Sequence, residues 1–288
     1  MKQERVTAVA PAKVNLYLHV TGRRDDGYHL LDSLVVFTEF GDRVTVSPAP
    51  DLTLSVGGPF AAAIPNGGDN LVLRAARALQ QAAGVTAGAA IHLEKFIPVA
   101  AGVGGGSADA AAVLKTLMRL WELTLEQGRL EALALALGAD VPVCLESRSA
   151  YMGGIGEDLT AAPDIPKLGI LLANPGIGLS TPAVFKARTS SFSDNARLTP
   201  GELATRTDFI NALSTRNNDL SEPAVSLVPE VGDLLVALGR TDHCLLARMS
   251  GSGATCFALY EDQAAAEKAA ESLGNAWPDL WLQASNIR

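Results

Sequence analysis

Alternating apolar and polar residues near the N-terminus predict a long β-strand. From Arg5 to Thr21 the chain reads RVTAVAPAKVNLYLHVT. Apolar residues occupy every second position, the period of a strand with one buried face. The opposite face carries Lys13, Asn15, Tyr17 and His19. Two interpretations of this face stay open: it faces solvent, or it presents Lys13 and Asn15 side by side to a ligand.

The rest of the first half of the chain contains both helical and strand periods. DNLVLRAARALQQAAG predicts a helix that begins at Asp69 or Asn70 and ends at Gly84. AAIHLEKFIP predicts a strand with Lys95 on its apolar face. LEALALALG predicts a further helix that ends at Gly138. The mixture lacks a regular β-α-β alternation, so we expect an α+β fold.

The second half continues the mixture. Patterns there predict a buried strand in KLGILLA, a helix entered at Pro182, one helix over EPAVSLVPEVGDLLVALG despite Pro229, and two strands around a Gly/Ser turn in LLARMSGSGATCFALY. The polar segment from Thr189 to Arg216 gives no clear period. The Gly- and Pro-rich stretch MGGIGEDLTAAPDIP predicts a break between two domains.

A glycine-rich segment, PVAAGVGGGSADAA from Pro98 to Ala111, joins a predicted strand to a predicted helix. Ser107 is a suitable N-cap for that helix. Glycine allows close approach to the backbone, and a helix N-terminus favours anions, so the segment suggests a phosphate cradle. It fits neither a P-loop, which needs a lysine after the last glycine, nor a dinucleotide fingerprint. An irregular turn with close strand–helix packing is the alternative.

Composition narrows the class of protein. The chain has 288 residues, of which 48% are hydrophobic and 19% charged, typical of a soluble globular protein with room for two domains. A net charge of −8 argues against a nucleic-acid partner. Cys144, Cys244 and Cys256 lack metal-ligand spacing, and we expect reduced thiols in a cytoplasmic protein. No apolar run reaches membrane-spanning length, so no membrane partner is expected.

Three segments together resemble the GHMP kinase superfamily of small-molecule ATP-dependent kinases: PAKVNLYL, PVAAGVGGGSADAA and MSGSGATCFALY. Their order and separations match over nearly the whole chain. Four shorter segments are similar to local patterns of one member of the superfamily in particular: GRRDDGYH, GADVP, TPAVFK and NDL.

This resemblance implies a two-domain α+β GHMP kinase fold. Residues 1–156 would form an N-terminal ATP-binding domain like ribosomal protein S5, and residues 157–288 a C-terminal α/β sandwich. It also implies ATP as co-substrate with Mg²⁺, and a cytidine-diphosphate-linked methylerythritol as the acceptor alcohol. The metal ligands and the oligomeric state stay open.

The resemblance also implies roles for single residues. Asp140 resembles the catalytic base, and Lys13 the lysine near the substrate hydroxyl and γ-phosphate. Tyr28 and Phe185 resemble aromatics that sandwich the cytosine, and His29 a residue that hydrogen-bonds its edge. Asn15 and Thr181 fall where polar substrate contacts are expected. ATP contacts are implied for Asn70 and Lys95 near the adenine and for Pro98, Val99, Ala100, Ala101, Gly102, Val103, Gly104, Gly105, Gly106 and Ser107.

Several alternatives stay open at this stage. Asn70 is otherwise a helix cap and Lys95 an exposed strand residue. Asp109 stands where several relatives have Asn; it complements the helix dipole in the first turn or helps to hold Mg²⁺. Rival functions are another GHMP kinase acting on homoserine, mevalonate or a sugar, and a nucleotide-binding protein without catalysis.

Overall fold

The computed structural model describes residues 5–64 and 70–288. By its internal contacts the chain forms two compact units that interleave in sequence. The first comprises the chain up to Ala12, Gly41–Val99 and Gly104–Ser147; the second comprises Lys13–Phe40, Ala100–Val103 and Arg148–Arg288. The domain boundary that the sequence suggests at residue 156 stays a prediction.

The first unit combines strands with a group of helices. Its elements are β1 (Val6–Arg23), β2 (His29–Ala49), β3 (Leu52–Gly57), α1 (Leu71–Ala83), β4 (Gly88–Glu94), α2 (Gly105–Leu120), α3 (Gln127–Leu137) and α4 (Val141–Glu146). The long strands β1 and β2 each belong partly to the first unit and partly to the second. β4 pairs antiparallel with the end of β2 and parallel with β3. α2 packs against α1 and α4.

The second unit contains a separate four-stranded antiparallel sheet, whose strands lie in the order Trp281–Asn286, Gly169–Asn174, Cys256–Tyr260 and Leu246–Met249. Its further elements are β5 (Ala150–Gly153), β6 (Asp158–Ala161), β7 (Gly169–Asn174), α5 (Thr181–Ala187), α6 (Arg206–Ser214), α7 (Ser221–Leu227), α8 (Glu230–Gly239), β8 (Leu246–Met249), β9 (Cys256–Tyr260), α9 (Gln263–Ala276) and β10 (Trp281–Asn286). Strand residues such as Leu171 and Tyr260 form a core with Val184, Leu234 and Leu273 of the helices.

Most predicted elements are confirmed where local signals are strong. Asn70 begins α1 by accepting a hydrogen bond from the Val72 N–H at 2.9 Å, and Gly84 ends it with φ 66°. Asp69, the alternative cap, lies outside the described residues. Gly138 follows the last residue of α3, as expected. Mixed helices and strands confirm the α+β class.

Two predictions from local patterns are wrong, and one of the two open interpretations of β1 is excluded. The helix expected across Pro229 is two helices, α7 and α8, because proline lacks the N–H that a helix interior needs. Ser107 is not the N-cap of α2, since Gly104 with φ 64° precedes a helix that begins at Gly105. The second face of β1 does not face solvent: Tyr17 is fully buried and His19 nearly so.

The segment from Thr189 to Arg216 contains more order than its polarity indicates. A 3₁₀ turn at Pro200–Leu203 starts with a capping box between Thr199 and Glu202. Thr205 then caps α6 by accepting the Asp208 N–H at 3.1 Å. Among residues 5–64 and 70–288, no helix has the length and apolar character needed to span a membrane.

Candidate active site

The glycine-rich segment begins with backbone conformations that suit small residues. Ala100 and Gly102 have φ values of 55° and 75°, in the left-handed region. A Cβ atom on Gly102 would lie 2.5 Å from the Gly253 carbonyl oxygen and 2.8 Å from that of Ser250. Gly102 is therefore required by the protein's own backbone.

The same segment ends at the N-terminus of α2. The first hydrogen bond within the helix runs from the Ala108 N–H to the Gly104 carbonyl at 2.9 Å. The N–H groups of Gly105, Gly106 and Ser107 precede it, and Gly104 has no side chain with which to cap them. Apart from its chain neighbours and the backbone of its own helix, no described atom lies within 4 Å of a Cβ added to Gly106. This end of the segment has the donors and the space that a phosphate group needs.

Lys95 lies beneath this helix terminus, in the same unit. Its side chain follows Ile91 and Leu93 on the buried face just after β4, and the residue is only 2% exposed. Its Nζ donates to Asp42 Oδ2 at 2.5 Å and to Asp109 Oδ2 at 2.8 Å. A Cβ on Gly105 would lie 3.5 Å from that Nζ. The interpretation of Lys95 as an exposed strand residue is wrong, and its role near adenine stays a prediction.

The cluster of Lys95, Asp42 and Asp109 is a buried group of charges. Asp42 also accepts the N–H groups of Phe96 at 2.6 Å and Ile97 at 2.9 Å, so it fixes the backbone that leads into the glycine segment. Burial lowers the pKa of Lys95, but Asp109 and Asp42 together raise it above its ordinary value. Burial raises the pKa of Asp109 to about 7, against the opposing effect of Lys95.

Asp109 fits neither role proposed for it from sequence. It lies in the second turn of α2 and points to Lys95, so it does not serve the first-turn dipole. Asp109 Oδ1 is buried without a hydrogen-bond partner, which taken alone favours a cation. However, a Mg²⁺ ion keeps several waters and would meet the Lys95 ammonium group in a closed space. Across residues 5–64 and 70–288, no group of three or more His, Cys, Asp or Glu side chains is placed to hold a metal ion.

β1 carries Lys13 and Asn15, two of the predicted site residues, in its part that belongs to the second unit. Lys13 is 5% exposed, and its N–H donates to the Val103 carbonyl at 2.9 Å. The side-chain amide of Asn15 donates to Ser33 Oγ at 2.8 Å. Asn15 Oδ1 is buried without a hydrogen-bond partner in the described structure, an exception to the pairing expected of buried polar atoms.

The residues predicted to bind the cytosine ring also belong to the second unit. His29 begins β2 directly after Tyr28, and Phe185 lies in α5. The rings of His29 and Phe185 stack with centroids 4.9 Å apart and planes at 22°. Burial first, and then the charges of Arg23 and Arg188, lower the pKa of His29 below its ordinary value. Tyr28 is 60% exposed after its turn. The predicted stacking of Tyr28 and Phe185 on a base stays a prediction; Phe185 stacks on His29.

Two further predicted residues stand at helix starts. Thr181 begins α5, and its Oγ1 lies 2.7 Å from Ser252 Oγ in the turn between β8 and β9. Asp140 directly precedes α4, with Pro142 in the first turn of that helix. Lys13 belongs to the second unit and Asp140 to the first.

Sequence reasoning missed the residues that support these positions. Asp42 has no role in the sequence analysis, although an acidic residue inside an apolar strand signals a buried partner charge. Ser33 and Ser250 carry no local signal, because their partners in β1 and the glycine segment are far away in sequence.

Comparisons with known proteins agree on one family. The model "GHMP kinases N terminal domain" matches residues 70–148 and "GHMP kinases C terminal" matches residues 205–279. The chain belongs to the GHMP kinase family, a family of small-molecule kinases that use ATP as co-substrate. The predicted GHMP kinase fold is thereby confirmed.

The most similar relatives share a narrower name. The chain is 54% identical to the 4-diphosphocytidyl-2-C-methyl-D-erythritol kinase of Paramagnetospirillum magneticum, over 96% of this chain and 97% of the relative. It is 50% identical to the kinase of that name from Parvibaculum lavamentivorans, over 97% of each. A crystal structure of 4-(cytidine 5'-diphospho)-2C-methyl-D-erythritol kinase matches with a TM-score of 0.81 at 36% identity, covering 98% of this chain and 99% of that one. Homoserine kinase from Cytophaga hutchinsonii, 18% identical with a TM-score of 0.75, covers 100% of this chain and 95% of its own, and shares the fold.

Proposed function

We propose that this protein transfers the γ-phosphoryl group of ATP to the 2-hydroxyl of 4-diphosphocytidyl-2-C-methyl-D-erythritol, a step of the non-mevalonate isoprenoid precursor pathway. The observation that carries the proposal is the 54% identity over 96% of the chain to a relative named for this substrate. GRRDDGYH, which a general kinase of the family has no reason to carry, supports the same substrate.

ATP is proposed to place its phosphates against the N-terminus of α2. The N–H groups of Gly105, Gly106 and Ser107 precede the first hydrogen bond of the helix, and the space at Gly106 is open. Pro98, Val99, Ala100, Ala101 and Val103 complete the proposed segment. Backbone donors and a helix terminus then supply the charge compensation that a P-loop lysine supplies elsewhere.

The chemical step needs a base and a positive charge. The substrate hydroxyl oxygen attacks the γ-phosphorus, the bond to the bridging oxygen breaks, and ADP leaves. Asp140 is proposed to accept the hydroxyl proton as the new bond forms, and Lys13 to stabilise the charges of the carboxylate and the transferred group. Both roles come from the family resemblance of GADVP and PAKVNLYL.

The acceptor is proposed to bind in the second unit. His29 and Phe185 form a stacked aromatic pair, and Tyr28 beside them is exposed, so the three can hold a pyrimidine base between rings and a hydrogen-bonding edge. Asn15 offers an unpartnered Oδ1, and Thr181 a hydroxyl, to the polar part of the substrate.

Mg²⁺ is proposed only as the ion that accompanies ATP, because the buried acidic pair does not fit it; no step is assigned to it. A cytoplasmic location is proposed from the free thiols Cys144, Cys244 and Cys256, which suit a reducing compartment.

Measuring ADP formation from ATP with each candidate alcohol tests the function. We expect turnover with the cytidine-diphosphate-linked methylerythritol and none with homoserine, mevalonate or a sugar. Turnover with one of the other alcohols instead, or ATP binding without turnover, would refute the proposal.

Asp140→Asn tests the base. It should lower kcat by roughly 10²–10⁴, the range for general acid–base catalysis, and leave ATP binding intact. Asp279→Asn, which removes an exposed carboxylate elsewhere, is the matched control and should keep full activity. Near-normal turnover of Asp140→Asn would show that another group takes the proton.

A further inference from the structure

Asn218, in the NDL segment, binds a turn that lies far from it in sequence. It is 4% exposed. Its side-chain amide donates one N–H to the Met249 carbonyl and the other to the Gly251 carbonyl, each at 2.8 Å. Its Oδ1 accepts the Leu220 N–H at 2.9 Å. Both amide hydrogens of the side chain are therefore committed to the turn between β8 and β9.

That turn holds the beginning of the glycine-rich segment, within the same unit. Ser250 Oγ donates to the Gly102 carbonyl at 3.2 Å, and the Thr255 N–H donates to the Ala101 carbonyl at 3.2 Å. A Cβ on Gly251 would lie 2.7 Å from the Gly102 oxygen. The two backbones are in such close contact that a displaced turn must displace residues Ala100–Val103 with it.

The same turn also reaches β1. The Asn15 N–H donates to Ser250 Oγ at 3.1 Å, and the Lys13 N–H donates to the Val103 carbonyl at 2.9 Å. Ser250 therefore bridges the strand that carries Lys13 and the start of the glycine-rich segment. Asn218 holds the same turn through the Met249 and Gly251 carbonyls, without lying in the glycine-rich segment itself.

We infer that Asn218 is a positioning residue for nucleotide binding, acting through the turn at residues 249–253 on the start of the glycine-rich segment. Only an amide suits the position. A carboxylate would retain the bond to the Leu220 N–H but would face two carbonyl oxygens without a donor, which is repulsive. The inference rests on the proposed function only in taking the glycine-rich segment as the ATP site.

Asn218→Asp is the test, because it preserves the shape of the side chain. We expect the Kd for the non-hydrolysable ATP analogue AMP-PNP, measured by calorimetry, to rise about tenfold or more, because the substitution removes both hydrogen bonds to the turn and one buried hydrogen bond alone is worth about that factor. The Kd for cytidine 5′-diphosphate should rise less. Asn275→Asp is the control: it adds the same charge at an exposed residue of α9 in the same unit, and should leave both Kd values unchanged.

Unchanged AMP-PNP affinity in a folded Asn218→Asp protein, or equal losses for both ligands, would overturn the inference. If Asn218→Asp does not fold, Ser250→Ala breaks the next contact in the series and must raise the Kd for AMP-PNP by itself; unaltered affinity there would overturn it too. If the wild-type protein binds AMP-PNP but not cytidine 5′-diphosphate, the proposed substrate is wrong, and the AMP-PNP comparison still decides the role of Asn218.

Discussion

Gly102 and Gly106 belong to one glycine-rich segment, but their surroundings differ. A Cβ on Gly102 would lie 2.5 Å from the Gly253 carbonyl oxygen, whereas no described atom lies within 4 Å of a Cβ on Gly106. Gly102 is left-handed with φ 75°, and Gly106 lies in the first turn of α2. The first glycine permits contact with the protein's own backbone, and the second leaves space where N–H groups are available. A packing role and a ligand role thus coexist in one segment.

Gly105 is intermediate between these two. A Cβ there would make ordinary contacts at 3.4 Å to Ile97 and 3.5 Å to Lys95 Nζ. A large side chain at Gly105 would therefore disturb the buried charges as well as any phosphate, and its effect on ATP would be ambiguous. Gly102 and Gly106 separate the two roles more clearly.

The largest effect is expected for Gly102→Ala. Left-handed strain and overpacking against the turn should together reduce the free energy of unfolding by about 2–5 kcal/mol, measured by urea denaturation. Gly84→Ala is the control, because Gly84 has φ 66° but no described atom within 4 Å of its added Cβ. It should lose only the strain, about 1–2 kcal/mol. Equal decreases in the free energy of unfolding of the two variants would mean that a Cβ at Gly102 is accommodated without overpacking against the turn.

The second largest effect is expected for the pH dependence of stability, which reflects the buried cluster of Lys95, Asp42 and Asp109. Because burial raises the pKa of Asp109 to about 7, the folded protein keeps a proton that the unfolded chain releases near the ordinary aspartate pKa of 3.8. Stability should therefore fall as pH rises from about 4 to 7, with a slope of up to about 1.4 kcal/mol per pH unit from this group. Asp109→Asn should flatten that part of the profile, measured by urea denaturation at several pH values.

The exposed Asp51→Asn, in the same unit, serves as the control for Asp109→Asn and should leave the slope unchanged. A slope that persists in Asp109→Asn would show that Asp109 ionises in the folded protein as freely as in the unfolded chain, with Lys95 fully compensating its burial.

Local chemistry explains which parts of this molecule could be predicted from its sequence. Asn70 and Gly84 bound α1 as their capping preferences indicate, and Lys95 occupies the buried side of its strand as its parity indicates. The glycine-rich segment was recognised as a junction of strand and helix. These signals lie within a few residues of each other, so they can be read without knowing the tertiary structure.

The remainder depends on contacts between distant residues. Asp42 reaches Lys95, and Asn218 reaches Met249, across separations that no local period records. The same holds for Gly102, whose need for glycine comes from the Gly253 backbone. The N-cap of α2 was misplaced at Ser107 because a left-handed glycine at Gly104 begins the helix earlier than side-chain capping preference suggests.

The smallest effect, and the most direct test of the ligand role, is expected for Gly106→Val. Stability should stay nearly constant, because the new side chain meets open space and valine is no worse than glycine in a helix. The KM for ATP should rise about tenfold, or about 1.4 kcal/mol, as the side chain occupies the path of the phosphates. Gly128→Val is matched closely: Gly128 is also the second residue of a helix, α3, and also has no described atom within 4 Å of an added Cβ. It should leave the KM for ATP unchanged. If the two variants behaved alike, the open space at Gly106 would be solvent rather than part of a nucleotide site, and only the packing role of Gly102 would remain.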